Sequence, residues 1–482
     1  MNSTNLGNVL EQAAERDGPG TLQRTLTASQ LILLGVGAII GAGIFVATGT
    51  VAAADAGPAI VLSFLIAAAG CLCAGLCYAE FAALVPVAGS AYSYVYATFG
   101  RLAGWMIGWC LLLEYSMAGA NVAVGWSAYL SGLVRSLGIS LPVQLTTPPF
   151  IRTAGHLASS GATFNAPAFL LVLTLAALLL GGVRLSVRTN AALVLVKLVI
   201  IVLFIVCGAW YVDSQNWHPF IPPNAGHFGE FGWSGVIRGA GAIFYAYLGF
   251  DAVSTAARES RDPQRTVPRG IIGALALCTV LYIAFSLVLT GLAPYQVLGV
   301  PNPASVALDY AGPQLHFLKV AVEIGAVLGL TSVVLALLYG QSRILYAMSR
   351  DRVVPSLFGR IGARSAIPYA SVLGSGIVAA TAAGFLPTEV LGEMISIGTL
   401  SAFVVVCAGV LVLRVRRPDL ARPFRTPAAP LVCTAGILIC GYLMAALPAE
   451  TWRRFIIWLA AGAAIYVIYG RRRAAADKRR MQ

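Results

Sequence analysis

Charge is what this chain has least of. Only 11% of its 482 residues are Asp, Glu, Lys or Arg, against about 25% in an ordinary soluble domain. Acids are the scarcer half, 19 in all. A chain this poor in charge and 58% hydrophobic is not a soluble globular protein; its apolar mass must face lipid as well as a core. Histidine is scarce too. The four copies, His156, His218, His227 and His316, fall in expected loops or at a helix end. No metal-site spacing joins them to the nine cysteines, which lie mostly inside apolar runs. Cys71, Cys73 and Cys77 cluster without a nearby His, and read best as small apolar fillers. No nucleophile–base or metal constellation appears, which argues against an enzyme. The first 28 residues also lack the basic and apolar regions of a cleaved signal. They are expected to be a cytoplasmic tail, with the first helix acting as an uncleaved insertion signal.

What the chain does have is long apolar runs, with mean hydropathy +0.82. Twelve segments reach the roughly 20 residues that a spanning helix needs. They begin near Leu31, Pro58, Leu102, Pro167, Ala191, Ser234, Gly270, Gln314, Tyr369, Val390, Ala428 and Trp452. The net charge of +13 invites a nucleic-acid partner, but its distribution argues against one. With both termini cytoplasmic, about 25 of the 32 Lys and Arg fall in cytoplasmic segments, which is the positive-inside bias. Arg135, Arg152, Arg453 and Arg454 fall outside. The basic tail, Arg471 to Arg480, fits contact with anionic lipid at the cytoplasmic face better than nucleic acid. The expected location is the cell (inner) membrane, multi-pass.

One short stretch stands out. Gly35 to Phe45, GVGAIIGAGIF, places four glycines inside the first apolar segment. Each costs about 1 kcal/mol against Ala in a helix interior. Broken backbone at membrane depth is tolerated only where it is buried in protein or lines a cavity. A second weak point, AYLGFD at Ala246 to Asp251, falls about 205 residues later in the sixth segment. Paired breaks in two halves of a chain point to a transporter binding site. Five segments separate them, and an odd number inverts direction. Residues 29–213 and 234–415 are therefore expected to form inverted repeats, followed by a pair at 428–470 and the tail 471–482.

The chemistry follows from the breaks. Unwinding at Gly41 to Gly43 would free N–H groups at the positive end of an outer half-helix, an anion site suited to a carboxylate. Unwinding at Ala246 to Gly249 would free the carbonyls of Tyr245, Ala246 and Leu248, which suit an ammonium. Together they select a zwitterion, an amino acid. The alternative is that the glycines only let helices pack closely.

Lys197 is the one charge in the fifth segment. An intramembrane Lys costs roughly 2.5–3.5 kcal/mol on insertion scales. It either snorkels to the cytoplasmic interface or serves as a cation site that can stand in for a transported cation or titrate. Glu114, alone in the third segment, either meets a partner or substrate or makes a structural hydrogen bond. Glu323 is explained by pairing with Lys319 one turn earlier. Asp251 could cap the inner half of the sixth helix. Glu80 reads as cytoplasmic and structural. Arg238 has no assignable partner. Phe250 is either a gate over the site or an ordinary core aromatic.

Four motifs, in order, resemble the amino acid–polyamine–organocation superfamily, and within it bacterial relatives of the cationic amino acid transporters. They are GAIIGAGIFVATG at Gly37, YAEFAALVPVAGSAYSY at Tyr78, FYAYLGFDAVSTAARESRDPQRTVPRGI at Phe244 and LLYGQSRILYAMSRD at Leu337. The resemblance runs from the first segment to the twelfth. It implies an all-α membrane protein with the leucine-transporter-like fold: 5+5 inverted repeats, discontinuous helices 1 and 6, and alternating access. It implies that the substrate carboxylate meets N–H groups at Ala42 and Gly43. The α-ammonium would meet carbonyls at Ile39, Tyr245, Ala246 and Leu248, with Phe250 as the gate. Lys197 matches the lysine that replaces sodium in proton-coupled members, facing Gly37 and Ile40 and also Thr331 or Ser332. The proton would be the coupling ion, with no other cofactor. Leu330, where a small residue would admit a long cationic side chain, narrows the pocket. Small neutral amino acids such as Ala come first, Arg or Lys second. Exchange without net proton flux and a non-transporting receptor or assembly subunit are the alternatives. A small single-helix membrane subunit docked outside the bundle stays open.

Overall fold

The computed structural model describes residues 26–84, 90–153, 156–182, 187–250, 253, 260, 262–351, 353–362, 367–420 and 422–470. Asp251, where a helix cap is expected, the basic tail and most of the N-terminal tail lie outside the described residues.

The described chain is almost entirely helical. α1 (Ala28–Ile39) opens on a capping box: the Thr27 hydroxyl accepts from the Gln30 N–H, and the Gln30 side chain accepts from the Thr27 N–H. After a break comes a π-turn at Gly43–Ala47, a short α-turn at Thr48–Val51 and a second π-turn at Ala52–Ala56. Then follow α2 (Ile60–Leu84), α3 (Ser90–Phe99), α4 (Arg101–Ser136), α5 (Ala166–Leu180), α6 (Val187–Ala209) and α7 (Gly232–Ala242). The second half holds α8 (Pro263–Leu292), α9 (Pro303–Ala311), α10 (His316–Arg350), α11 (Tyr369–Phe385), α12 (Thr388–Arg416), α13 (Ala429–Ala446) and α14 (Ala449–Ile465). A two-stranded antiparallel hairpin, β1 (Phe150–Thr153) with β2 (His156–Ser159), interrupts the loop after α4, Phe150 facing Ser159.

Among the described residues, eight helical runs are long and apolar enough to cross a membrane, one of them the run Gly43–Leu84. The helices Ala28–Ile39, Ala166–Leu180 and Tyr369–Phe385 are apolar but shorter, and α7 has only 11 residues. The protein is therefore a multi-span, all-helical membrane protein. α4, at 36 residues, is about 54 Å long, well beyond a hydrocarbon core of about 30 Å. It forms the spine of the bundle, packing along α10, α12, α11 and α3, while α8 packs on α1 and α2.

Without water, polar side chains in such a bundle satisfy one another or the backbone. α14 is held to α4 by indole N–H groups: Trp105 donates to the Gly462 carbonyl at 2.9 Å, Trp109 to Trp458 at 2.8 Å, and Trp458 back to Trp109 at 3.1 Å. Glu80 is structural, as expected, and its partners are specific. Arg414 grips it through two hydrogen bonds, 3.1 and 2.7 Å, and the Thr426 N–H donates to it at 2.8 Å. That fork ties α2 to both ends of the α12–α13 connection. The Glu323 expectation is corrected. Lys319 turns away from its helix neighbour to Asp309 of α9, at 2.7 Å. Glu323 is buried and accepts from Ser136 at 3.3 Å. Arg238, unassigned from sequence, lies over the Phe228 ring at 6.0 Å. Of the nine cysteines, seven are buried, as apolar fillers would be.

Candidate functional site: two facing helix breaks

Both weak points are breaks. α1 stops at Ile40, whose ψ of 102° is extended rather than helical. The ladder restarts with Phe45 N–H at 3.4 Å from the Gly41 carbonyl. The amides of Ala42 and Gly43 precede that bond, as the first N–H groups of a helix do. In the sixth segment, α7 gives way to a tight turn at Phe244–Tyr247; Leu248 is extended (ψ 138°) and Gly249 is left-handed (φ 114°). A side chain at Gly249 would be strained by that φ, and its Cβ would lie 2.7 Å from the Ala38 carbonyl group. Only glycine lets this turn rest on α1.

The two breaks touch. A Cβ on Gly43 would lie 2.5 Å from the Ala246 Cα, so the helical restart after the first break runs directly against the Phe244–Tyr247 turn. The packing alternative holds for two of the other glycines. A Cβ on Gly35 would meet Ala274 at 2.7 Å, and one on Gly37 would meet Val194 at 2.4 Å. Gly41 has room, its nearest neighbour being Val333 at 3.4 Å. The glycine run thus serves close packing below the break and close approach of the second break above it.

Lys197 of α6 does not run to the interface. It is 1% exposed, and its Nζ donates to the carbonyls of Gly37 at 2.9 Å and Ile40 at 3.0 Å. Those carbonyls lie at the C-terminal end of α1, where intrahelical partners run out and the dipole is negative. A cation there meets both needs. The Lys197 stem lies over Gly329 of α10, where a Cβ would come within 2.6 Å of its Cγ. Thr331 and Ser332 stand on the same helix, but their hydroxyls donate to Val327 (2.7 Å) and Gly329 (2.7 Å) of their own helix. Leu330 is fully buried.

Three groups that sequence reasoning missed complete the centre. The Tyr282 hydroxyl of α8 donates to the Ala246 carbonyl at 2.7 Å and lies 3.2 Å from the Ile39 carbonyl, bridging the breaks. The Ser396 hydroxyl of α12 donates to Ala242 at 2.9 Å and accepts from the Tyr245 N–H at 3.3 Å, splicing α7 to its turn. The Asn121 amide of α4 donates to the Tyr245 hydroxyl at 2.7 Å. Of the acceptors expected for an ammonium, Tyr245 receives the Leu248 N–H at 2.9 Å, while Ala246 and Ile39 face the Tyr282 hydroxyl. A tyrosine and an asparagine inside apolar runs carry no spacing signal, so only the fold could place them.

Two expected residues stand apart. Glu114 is buried two turns before Asn121 and faces α12, where a Cβ on Gly398 would lie 3.8 Å from its own Cβ. Phe250 is 1% exposed and packs edge-on against Tyr78 at 5.6 Å and tilted against Phe403 at 5.3 Å. It closes the segment after the Phe244–Tyr247 turn onto α2 and α12.

A family model described as "Amino acid permease" matches residues 26–468. The chain is 45% identical to a methylthioribose transporter of Bacillus subtilis (strain 168), across 97% of this chain and 98% of that protein. It is 42% identical to the branched-chain amino acid permease BcaP of the same organism, across 96% and 97%. It is 37% identical to the vacuolar cationic amino acid transporter 4 of Arabidopsis thaliana, across 84% of this chain and 66% of that protein. The chain belongs to the amino acid permease family.

Proposed function

We propose that this protein is a secondary active carrier of small neutral L-amino acids, driven by proton symport across the cytoplasmic membrane, with both termini inside. The observation that carries the reading is the contact between the two breaks, Gly43 against Ala246, with Lys197 on the carbonyls below them. The substrate carboxylate docks on the Ala42 and Gly43 amides, where the positive end of the outer half-helix lies. The α-ammonium takes the carbonyls of Ile39, Tyr245, Ala246 and Leu248, displacing the Tyr282 hydroxyl from Ala246. Leu330 limits side-chain length, Phe250 gates the inner side, and Glu114 supports the α4 wall. Lys197 is the coupling group: it holds the inner end of helix 1 while charged and releases it on giving up its proton. Alternating access follows if residues 29–213 and 234–415 are inverted five-helix repeats within a twelve-helix, leucine-transporter-like bundle.

Purified protein in proteoliposomes tests this. Uptake of alanine should exceed equilibrium when the lumen is made alkaline, and Lys197→Ala should abolish that accumulation while leaving some binding. Equal uptake with the gradient collapsed supports exchange instead, and binding without uptake supports a receptor. A second reading has its own support. The methylthioribose transporter is as similar as the amino acid permeases are, and methylthioribose lacks the zwitterion that the breaks suit. Uptake of labelled methylthioribose unaffected by excess amino acids would favour it.

A further inference from the structure

The wall beside the break after α7 holds a polar pair that a purely apolar cargo would leave unmet. Asn121 is fully buried in α4, and one end of its amide bonds the Tyr245 hydroxyl at 2.7 Å. The other end, Oδ1, is buried with no hydrogen-bond partner. A buried polar atom left so is costly and in native proteins calls for an explanation. Tyr245 is also the residue whose backbone opens the break, and its hydroxyl, accepting from Asn121, keeps its own hydrogen to donate. Its ring is held in place: a Cβ on Gly392 of α12 would lie 2.9 Å from the Tyr245 Cε1. The pair sits where α4 and α12 flank the turn, so it offers one donor and one acceptor from a fixed position. A donor-plus-acceptor pair matches a hydroxyl or a primary amide. It does not match an ammonium or guanidinium, which only donate, nor a carboxylate, which only accepts. Turning the Asn121 amide over exchanges the two roles and leaves the match unchanged.

We infer that Asn121 and Tyr245 form a side-chain subsite that selects amino acids bearing a hydroxyl or amide, the threonine, serine and asparagine class, over their apolar isosteres. This rests on the amino acid reading above and sharpens it. The isosteric pair threonine and valine isolates the point, since a site built to hydrogen-bond a hydroxyl rejects the analogue lacking it. In proteoliposomes the wild type should take up threonine with at least about tenfold higher kcat/KM than valine. Asn121→Leu should bring that ratio to near one or below, and Tyr245→Phe should lower it in the same direction. Because the readout is a ratio within one preparation, a variant with less folded protein still reports. Equal handling of threonine and valine by wild type, or a ratio unchanged in both variants, overturns the inference while leaving amino acid transport standing. Uptake of neither amino acid, with methylthioribose carried, overturns the amino acid reading itself and this inference with it.

Discussion

At the scale of single residues, the centre is a set of hydrogen bonds that replace those lost where helices stop. Tyr282 spans both breaks from α8. Tyr282→Phe removes only the hydroxyl, so the Ala246 carbonyl loses its donor inside the bundle. The expected cost is about 1–3 kcal/mol, read as a lower unfolding temperature of the detergent-solubilised protein without substrate. Saturating amino acid should recover most of that loss, because its ammonium takes the same carbonyls. Leu330→Ser should widen acceptance toward longer or basic amino acids in competition assays; an unchanged profile would remove Leu330 from the pocket. Lys197 and the four glycines were legible in the sequence because a lone charge or a helix-breaking residue is anomalous in an apolar run. Tyr282, Asn121 and Ser396 were not, because such residues are ordinary in membrane helices until a neighbouring helix gives them a partner. The Lys319–Glu323 pairing misled for a related reason. Sequence offers the neighbour one turn away, while the fold brought Asp309 of α9 nearer to Lys319.

At the scale of elements, the glycines of the first segment divide by what they touch. Gly41 has ordinary van der Waals room, and Gly43 does not. Gly41→Ala should therefore keep transport within a few-fold of wild type, since the added methyl meets only Val333 at 3.4 Å. Gly43→Ala must push Ala246 away and part the two breaks, so substrate binding should fall at least tenfold with the protein still folded and monodisperse. Gly249→Ala should be harsher, combining a disfavoured φ with a clash on Ala38. Its folded yield itself should drop. The position of both breaks could be read from glycines set inside apolar runs, GVGAIIGAGIF and AYLGFD. Their mutual contact could not, because it depends on how two segments some 205 residues apart fold together.

At the scale of the whole molecule, composition alone separated this chain from soluble proteins, and the described helices agree: long, apolar and tied by side-chain to backbone bonds. The polar clusters lie away from the breaks. Glu80 with Arg414 and Thr426 binds α2 to the α12–α13 connection, and the stacked indoles bind α14 to α4. These ties brace α2, α4, α12, α13 and α14 against one another. Arg414→Ala would remove the two-pronged grip on Glu80 while Arg422, 3.4 Å from the same carboxylate, remains, and should destabilise the folded protein by about 1–3 kcal/mol, measured by thermal unfolding. The intrinsic substrate selectivity of any folded fraction should not change, since the cluster does not touch the breaks.

The central claim is that two interrupted helices present main-chain donors and acceptors to a zwitterion. Ligand-dependent thermal stabilisation of the purified protein tests it most directly, using threonine, threonine methyl ester and N-acetylthreonine side by side. At about 100 times its Kd a ligand bound only to the folded state adds about 2.7 kcal/mol. The free amino acid should raise the unfolding temperature accordingly, and neither blocked form should, because each lacks one of the two charges the breaks hold. Equal stabilisation by the ester or the N-acetyl form would mean that the carboxylate or the ammonium is not gripped, and would contradict the account.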